Sequence, residues 1–330
     1  MNELDLLSIG DASLDVFLTP TESETFCEVD THKSLLCFTY GDKIPVKDLS
    51  MSTGGNAANN ALGTRRLGVN SAVVLTLGDD DMGSSIVASL ESEGVNTEFI
   101  AKQPETSSNY STIISVSGER TIFTFKVPRD YVFPQNLPKV KWVYLTSLGE
   151  RFSFFYTKFI KWAKQNPQAK IAYNPGSRQL RAGVSAFKDI LSTSYIIYVN
   201  RKEAEKITGL KHSHGKEKEL LNALSKLGPK TPIITDGPEG AFAYDGNNYY
   251  RVGILPVDAY ERTGAGDAFG SGCLAALIKG KSLKEALLWG TVNSASVIGY
   301  SGAQRGLLKE NEMEEWFERC KSSGVKVEEF

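Results

Sequence analysis

Asp267 directly follows Gly264-Ala265-Gly266 and precedes a run of small and apolar residues from Ala268 to Ile278. The pattern reads as a tight turn feeding a helix. The first amides of a helix have no acceptor within it and carry partial positive charge, so they attract anions. Glycine lets backbone approach an anion with no Cβ in the way. Two readings fit this stretch. In one, Asp267 simply caps a glycine-rich turn. In the other, its carboxylate takes a proton from a hydroxyl while the amides steady charge on a transferring phosphoryl group. Two better-known phosphate motifs fail. A GxxxxGK[ST] loop ending at Gly280-Lys281-Ser282 would need glycine where Ala275 stands, and Gly264, Gly266 and Gly270 are spaced one residue too long for GxGxxG.

Other chemistry-bearing residues fall at strand ends. Asp11, Ser13 and Asp15 follow the apolar run Leu4 to Ile9, where open α/β sheets bind ligands, although Asp and Ser are also ordinary turn formers. Gly54-Gly55 lead into a small-residue helix containing Asn59 and closed by Gly68. They suit a pocket floor or a loop with close helix packing. Asn200 and Glu203 have capping-box spacing after a strand, and the same pair would suit a hydrated Mg²⁺. Thr235-Asp236-Gly237-Pro238-Glu239-Gly240 is a further strand ending in a glycine turn.

From Lys139 onward strand and helix patterns alternate regularly, which predicts a mainly parallel α/β sheet. Strands are expected at 142–145, 171–174 and 195–199, and helices at 154–164, 186–191, 284–300 and 309–320. Two stretches depart from that rhythm. Residues 13–50 are rich in Thr, Val, Phe, Cys and Tyr without a helical period, and 107–127 read as a hairpin around Gly118-Glu119. They are expected to pair into one small sheet that acts as a lid. The chain, 1–330, is expected to be one domain carrying lid segments at about 13–50 and 107–127.

The 330 residues are 41% hydrophobic and 23% charged, ordinary for a globular protein with a sizeable core. A net charge of −2 gives no global pull toward nucleic acid or anionic membrane, and no apolar run is long enough for a membrane span. The first ten residues carry Glu3 and Asp5 and no basic residue, unlike a signal peptide. Four scattered cysteines, none in CxxC, point to free thiols in a reducing cytoplasm, although Cys27 and Cys37 could face each other across a hairpin. His212 and His214 lie in a charged, solvated stretch.

With these residues together, the chain resembles the PfkB/ribokinase-like carbohydrate kinases over essentially its whole length. Gly54-Gly55-Asn56-Ala57-Ala58-Asn59 with Leu67-Gly68 is similar to the family's N-terminal motif, and Thr263 to Phe269 with Gly272 to its C-terminal motif. Asn200, Glu203, Ala204, Thr208 and Gly209 resemble its NxxE element, and Thr235 to Gly240 its nucleotide loop. Four motifs in family order are far more specific than any one.

The resemblance implies a ribokinase-like three-layer α/β/α core with a small β-sheet lid, and ATP-dependent phosphorylation of a primary hydroxyl. It implies Asp267 as catalytic base and the amides of Gly264, Ala265 and Gly266 as anion hole. Asn200 and Glu203 would organise Mg²⁺ through water. Thr235, Gly237 and Gly240 would line the ATP site, with Asn293 near the adenine, and Asp15, Gly54, Gly55 and Asn59 would hold the acceptor. Glu261-Arg262 stand where the family usually has Asp-Thr, the Asp being often tied to a monovalent-cation site. A longer acid and an added cation weaken the implication of a K⁺ requirement. The first lid segment is long, and Asn56 occupies a position where ribokinases often carry Lys.

The leading expectation is a sugar kinase of the ribokinase or fructokinase kind. A nucleoside kinase with lid aromatics (Phe17, Phe38, Tyr40, Phe123, Phe125) stacking on a base is the alternative, against an ordinary lid core for the same rings. A catalytically silent binding protein on the same scaffold is the third. Edge strands of the lid also suit a homodimer.

Overall fold

The computed structural model describes residues 3–21, 26–30, 33–116 and 119–330. The chain opens with strands β1 (Leu4–Ile9), β2 (Ser13–Pro20), β3 (Phe26–Asp30), β4 (Lys33–Cys37) and β5 (Val46–Gly54) before helix α1 (Asn56–Arg66). Next come β6 (Ser71–Gly78), α2 (Asp81–Ser92), β7 (Ile100–Gln103), β8 (Tyr110–Val116), β9 (Glu119–Phe125) and β10 (Val140–Leu145). The alternating half holds α3 (Phe152–Gln165), β11 (Lys170–Tyr173), α4 (Ser177–Ala182), α5 (Lys188–Thr193), β12 (Ile196–Asn200), α6 (Arg201–Thr208), α7 (Glu217–Ser225) and β13 (Thr231–Thr235). A hairpin, β14 (Ala241–Tyr244) and β15 (Tyr249–Val252), then α8 (Ala265–Ile278), α9 (Leu283–Val297), α10 (Met313–Ser322) and β16 (Val327–Glu329) complete it.

The main sheet runs β16-β15-β14-β13-β12-β11-β10-β1-β6-β7. The strands from β13 to β7 are parallel, and β14 to β16 add antiparallel at one edge. Parallel strands are covered on both faces, which is why β6 is buried at every position. On one face α3, α5, α6 and α7 pack through Phe155, Phe159, Ile190, Leu220 and Leu224. On the other, α1, α2 and α8 to α10 pack through Ala58, Leu62, Leu90, Leu274, Leu287 and Met313. This is the three-layer α/β/α core. The order reverses at β1, which lies between β6 and β10, and ligands bind at the carboxyl ends beside such a switch point.

The two irregular stretches form one four-stranded sheet, β5-β2-β8-β9, antiparallel except for the parallel β2–β8 pair. Because side chains alternate across a strand, its registers define two faces. Asp15, Ser111 and Thr124 form one cross-strand row, with Phe17, Ile113 and Ile122 in the next. Met51, Val16, Thr112 and Phe123 share the opposite face.

Several details differ from expectation. The helix expected over 186–191 starts at Lys188, since residues 184–186 form a separate short turn opened by Gly183 (φ 85°) and closed by a non-helical Phe187 (φ −136°, ψ 17°). Strands β7 and β16 and the short helix α4 carry too few residues to show a period. The β3–β4 register pairs Cys27 with Leu36 and Cys37 with Phe26, so the two cysteines are not opposite each other, and Cys37 is a free thiol. The hairpin turn at 117–118 lies outside the described residues.

Candidate active site

Asp267 is the third residue of α8, whose N-cap Gly264 adopts a left-handed φ of 78°. A Cβ at Gly264 would also lie 2.5 Å from the Cβ of Ala303, so only glycine makes this turn. The amides of Gly264 and Gly266 form no hydrogen bond with the rest of the described chain, and Ala265 N reaches only the carbonyl of Arg262, at 3.5 Å. Open space surrounds the Gly266 Cα. Two unpaired backbone donors and one weakly bonded donor therefore sit at a helix start beside a carboxylate.

That carboxylate is held from below. Asn59, buried on α1, donates Nδ2 to Asp267 Oδ2 at 2.8 Å, and Gln304 Nε2 donates to Asn59 Oδ1 at 2.9 Å. Burial pushes the Asp267 carboxyl up to about 6, and the Asn59 bond works against that rise. Asn59 was expected among acceptor-binding residues; the structure instead commits its amide to Asp267 and Gln304. Gln304 has no local sequence signal, because its partner is 245 positions away.

The Gly54-Gly55 turn lies against the end of β1. An added Cβ at Gly54 would fall 1.9 Å from Asp15 Oδ2, so bare backbone rests on that carboxylate. At Gly55 it would meet the Asp11 carbonyl at 2.5 Å. Asp15 accepts from Ser13 Oγ at 2.8 Å, and burial raises its pKa. Nearby, Asn56 Nδ2 donates to Asn174 Oδ1 (3.1 Å), which also accepts from Thr146 Oγ1 (3.2 Å), and Asn174 Nδ2 donates to the Tyr198 carbonyl (2.7 Å). This relay ties α1 to the ends of β10, β11 and β12.

Asn200 and Glu203 do form the expected capping box on α6. Glu203 is half-buried, and its pKa is raised first by burial and then by the negative field of Asp267. Among the described residues, no Lys or Arg forms an ion pair with either carboxylate. Asn200 pairs with Thr235 in the sheet register, which places the Thr235-Gly240 loop beside it. Arg201, 5% exposed, clamps that loop by donating to Asp236 at 2.8 Å while also binding Ser213 and Glu217. Asn293 does not join the site. It is fully buried, donating to the Ala268 carbonyl and accepting from Leu308 N, so its amide staples α8 to the chain after α9.

Glu261, 6% exposed, accepts hydrogen bonds from Thr263 Oγ1 and, at 3.1 Å, from Gly302 N. The cation facing it is not Arg262, which is exposed, but Arg120 of β9, 3.8 Å away. The small sheet thus reaches the residue two positions before the glycine turn.

The pfkB family carbohydrate kinase profile matches residues 21–310. The chain belongs to the pfkB family of carbohydrate kinases. Members are ATP-dependent carbohydrate kinases, and this kinase is an enzyme of that kind. It is 25% identical over 310 residues to the ATP-dependent 6-phosphofructokinase of Thermoanaerobacterium thermosaccharolyticum, covering 91% of this chain and 89% of that one. With the ribokinase of Bacillus subtilis it shares 26% over 271 residues, 79% of this chain and 86% of that one. The structure of Arabidopsis thaliana ribokinase complexed with ribose and ATP superposes with a TM-score of 0.74 at 18% identity, covering 96% of this kinase and 99% of that chain. No helix among the described residues is long and apolar enough to cross a membrane.

Proposed function

We propose that this kinase transfers the γ-phosphoryl group of ATP to a primary hydroxyl of a small sugar, with Asp267 as general base. The observation that carries the reading is the Asp267 carboxylate held by Asn59 beside the helix-start amides of Gly264 to Gly266, of which Gly264 and Gly266 have no hydrogen-bond partner among the described residues. The acceptor oxygen attacks the γ-phosphorus, the bond to the bridging oxygen of ADP breaks, and the hydroxyl proton passes to Asp267. The three amides meet charge on the transferring group without reorganising. Asp15 and the Gly54-Gly55 backbone orient the acceptor, and Asn200, Thr235, Gly237 and Gly240 line the nucleotide side. Glu203 and Asp267, two carboxylates with no neutralising cation of the protein's own, suit a hydrated Mg²⁺ held largely through water, which when bound would offset phosphate charge. A K⁺ requirement fits less well, because Arg120, Thr263 and Gly302 already answer the Glu261 carboxylate.

In this reading 1–330 is a single domain and the four-stranded sheet is its lid, closing over the acceptor and excluding water. Two of the five lid aromatics do not support the nucleoside alternative. Thr124 and Lys126 line a cavity with Asp11, so Phe123 and Phe125 on the same strand face the other way, 60% and 55% exposed. Neither ring can stack on a base in that cavity. The apolar outer face instead suits a homodimer formed through the lid. The free thiols Cys37, Cys273 and Cys320 suit a cytoplasmic setting.

The test is Asp267→Asn. It is expected to retain ATP binding by calorimetry and to lose turnover by about 10²–10⁴-fold in an ADP-release assay. Turnover close to wild type would remove Asp267 from the role of base, and ATP binding with no ADP from any acceptor in the wild type would favour a silent binding protein.

A further inference from the structure

A cavity of 310 Å³ opens between the small sheet and the carboxyl ends of β1, β10 and β11. Its lining includes Asp11, Thr124, Lys126, Ser147, Arg178 and Arg181. Three cations converge here in a protein of net charge −2. Lys126 and Arg181 form no ion pair among the described residues. Arg178 meets Glu150 at 3.1 Å, but that acid is 67% exposed at the rim and easily exchanged for a ligand. Asp11 is the one carboxylate in the lining, and it already accepts from Tyr131 at 2.7 Å.

The cavity continues the acceptor site. Asp15, Ser111 and Thr124 form one row across three adjacent strands, so Thr124 lies about 10 Å from Asp15 at about 4.8 Å per strand. That separation matches a short polyol with one of its hydroxyls held by Asp15 and its other end among the cations. A neutral sugar would leave three cations facing one carboxylate of the lining, with Glu150 at the rim, and part of their mutual repulsion would stay uncompensated. An anionic terminus would convert them into charge-assisted hydrogen bonds, with the two guanidinium groups suited to planar or tetrahedral oxyanions. A larger hollow of 480 Å³ lies elsewhere, around Arg66, Glu93, Lys309 and Glu310, but Arg66 there is already paired with Glu93.

We propose that the acceptor of this kinase carries an anionic group, a phosphate or a carboxylate, bound by Lys126, Arg178 and Arg181. The inference rests on the kinase reading above and narrows its acceptor class. Ser147 and Thr124 supply neutral donors to the same group, while Asp11 takes a hydroxyl of the carbon chain.

Two measurements test it. The first is thermal stabilisation by inorganic phosphate, against chloride at equal ionic strength, in the wild type and in the Lys126→Ala and Arg181→Ala variants. Both side chains are exposed, so folding is spared. Phosphate is expected to stabilise the wild type, with the shift at least halved in each variant. Phosphate held only by the Gly264–Gly266 amides would give equal shifts in all three proteins and overturn the assignment. The second is ADP release with fructose, fructose 1-phosphate, fructose 6-phosphate, gluconate and a nucleoside. At least one anionic acceptor is expected to exceed fructose at least tenfold in kcat/KM, with that ratio falling at least tenfold in the Lys126→Ala/Arg181→Ala double variant. The phosphate esters against gluconate decide which anion is meant. Preference for fructose or the nucleoside, or a ratio unmoved by the double variant, would refute the anionic acceptor while leaving the kinase reading intact. ADP from no acceptor at all would remove both.

Discussion

Asp267 is set for its proposed task by two opposed effects. Burial raises its pKa to about 6, and the Asn59 hydrogen bond, which favours the ionised form, limits the rise. A base works only when ionised, so kcat/KM is expected to climb with pH through about 6 and to level off above 7. Asn59→Ala removes the limiting bond, and the acidic limb is expected to move to higher pH with a lower plateau. An unmoved limb would show that another group sets it. The same burial makes the ionised carboxylate a liability to the fold. Its pKa is higher folded than unfolded, so the stability cost is absent below the ordinary carboxylate value of 3.8 and complete above about 6. A shift of about two units corresponds to about 3 kcal/mol at most. Asp267→Asn is therefore expected to raise Tm by a few degrees at pH 7.5 while losing most turnover, and an unchanged or lower Tm would contradict this account. Asp267 and its glycine turn were legible because helix-start chemistry is written in consecutive residues. Gln304 was not, since only the fold brings it to Asn59. Asn293 misled because nothing local distinguishes a cleft asparagine from one stapling two buried segments.

At the scale of elements, the contact between Arg120 on β9 and Glu261 before α8 joins the small sheet to the glycine turn. Its two ends differ in kind. Arg120 is one-third exposed, and such a pair contributes about 0–1 kcal/mol to stability. Glu261 is an acceptor for the buried Gly302 amide, and removing an acceptor leaves a donor unmet at about 1–3 kcal/mol. Arg120→Ala is thus expected to leave denaturant midpoints nearly unchanged, lower kcat/KM for the acceptor severalfold and raise acceptor-independent ATP hydrolysis. Glu261→Ala is expected to lower the midpoint clearly. Equal stability losses in both would mean that the pair is a structural bridge rather than a closing contact. The α6 capping box could be read from sequence because its signal spans a few residues. Strands β7 and β16 could not, being short edge strands recruited by neighbours. The sequence also offered Arg262 as the cation near Glu261, since adjacency was the only guide to proximity available.

For the whole molecule, the outer face of the small sheet presents Leu49, Met51, Phe123 and Phe125, each more than half exposed. Contiguous apolar surface of this sort marks an interface. Light scattering is expected to give twice the chain mass, and Phe123→Glu is expected to halve it; a wild-type monomer would leave that face without the proposed role. The three-layer core was legible from the regular alternation after Lys139, and the small sheet from two stretches that break it. Which faces of that sheet look inward was not, because facing depends on registers that only the folded chain fixes.

The position of β1 has a consequence for how the chain is made. This strand, synthesised ahead of both its partners, sits in the middle of the main sheet between β6 and β10. Its partner β10 begins only at Val140, after the whole small sheet has been translated. At about 5–20 residues per second, Leu4, Leu6, Leu7 and Ile9 wait roughly 7–30 s on the ribosome with one backbone edge unpaired. The insertion that supplies the small sheet therefore prolongs the interval in which a nascent chain exposes an unpaired strand edge.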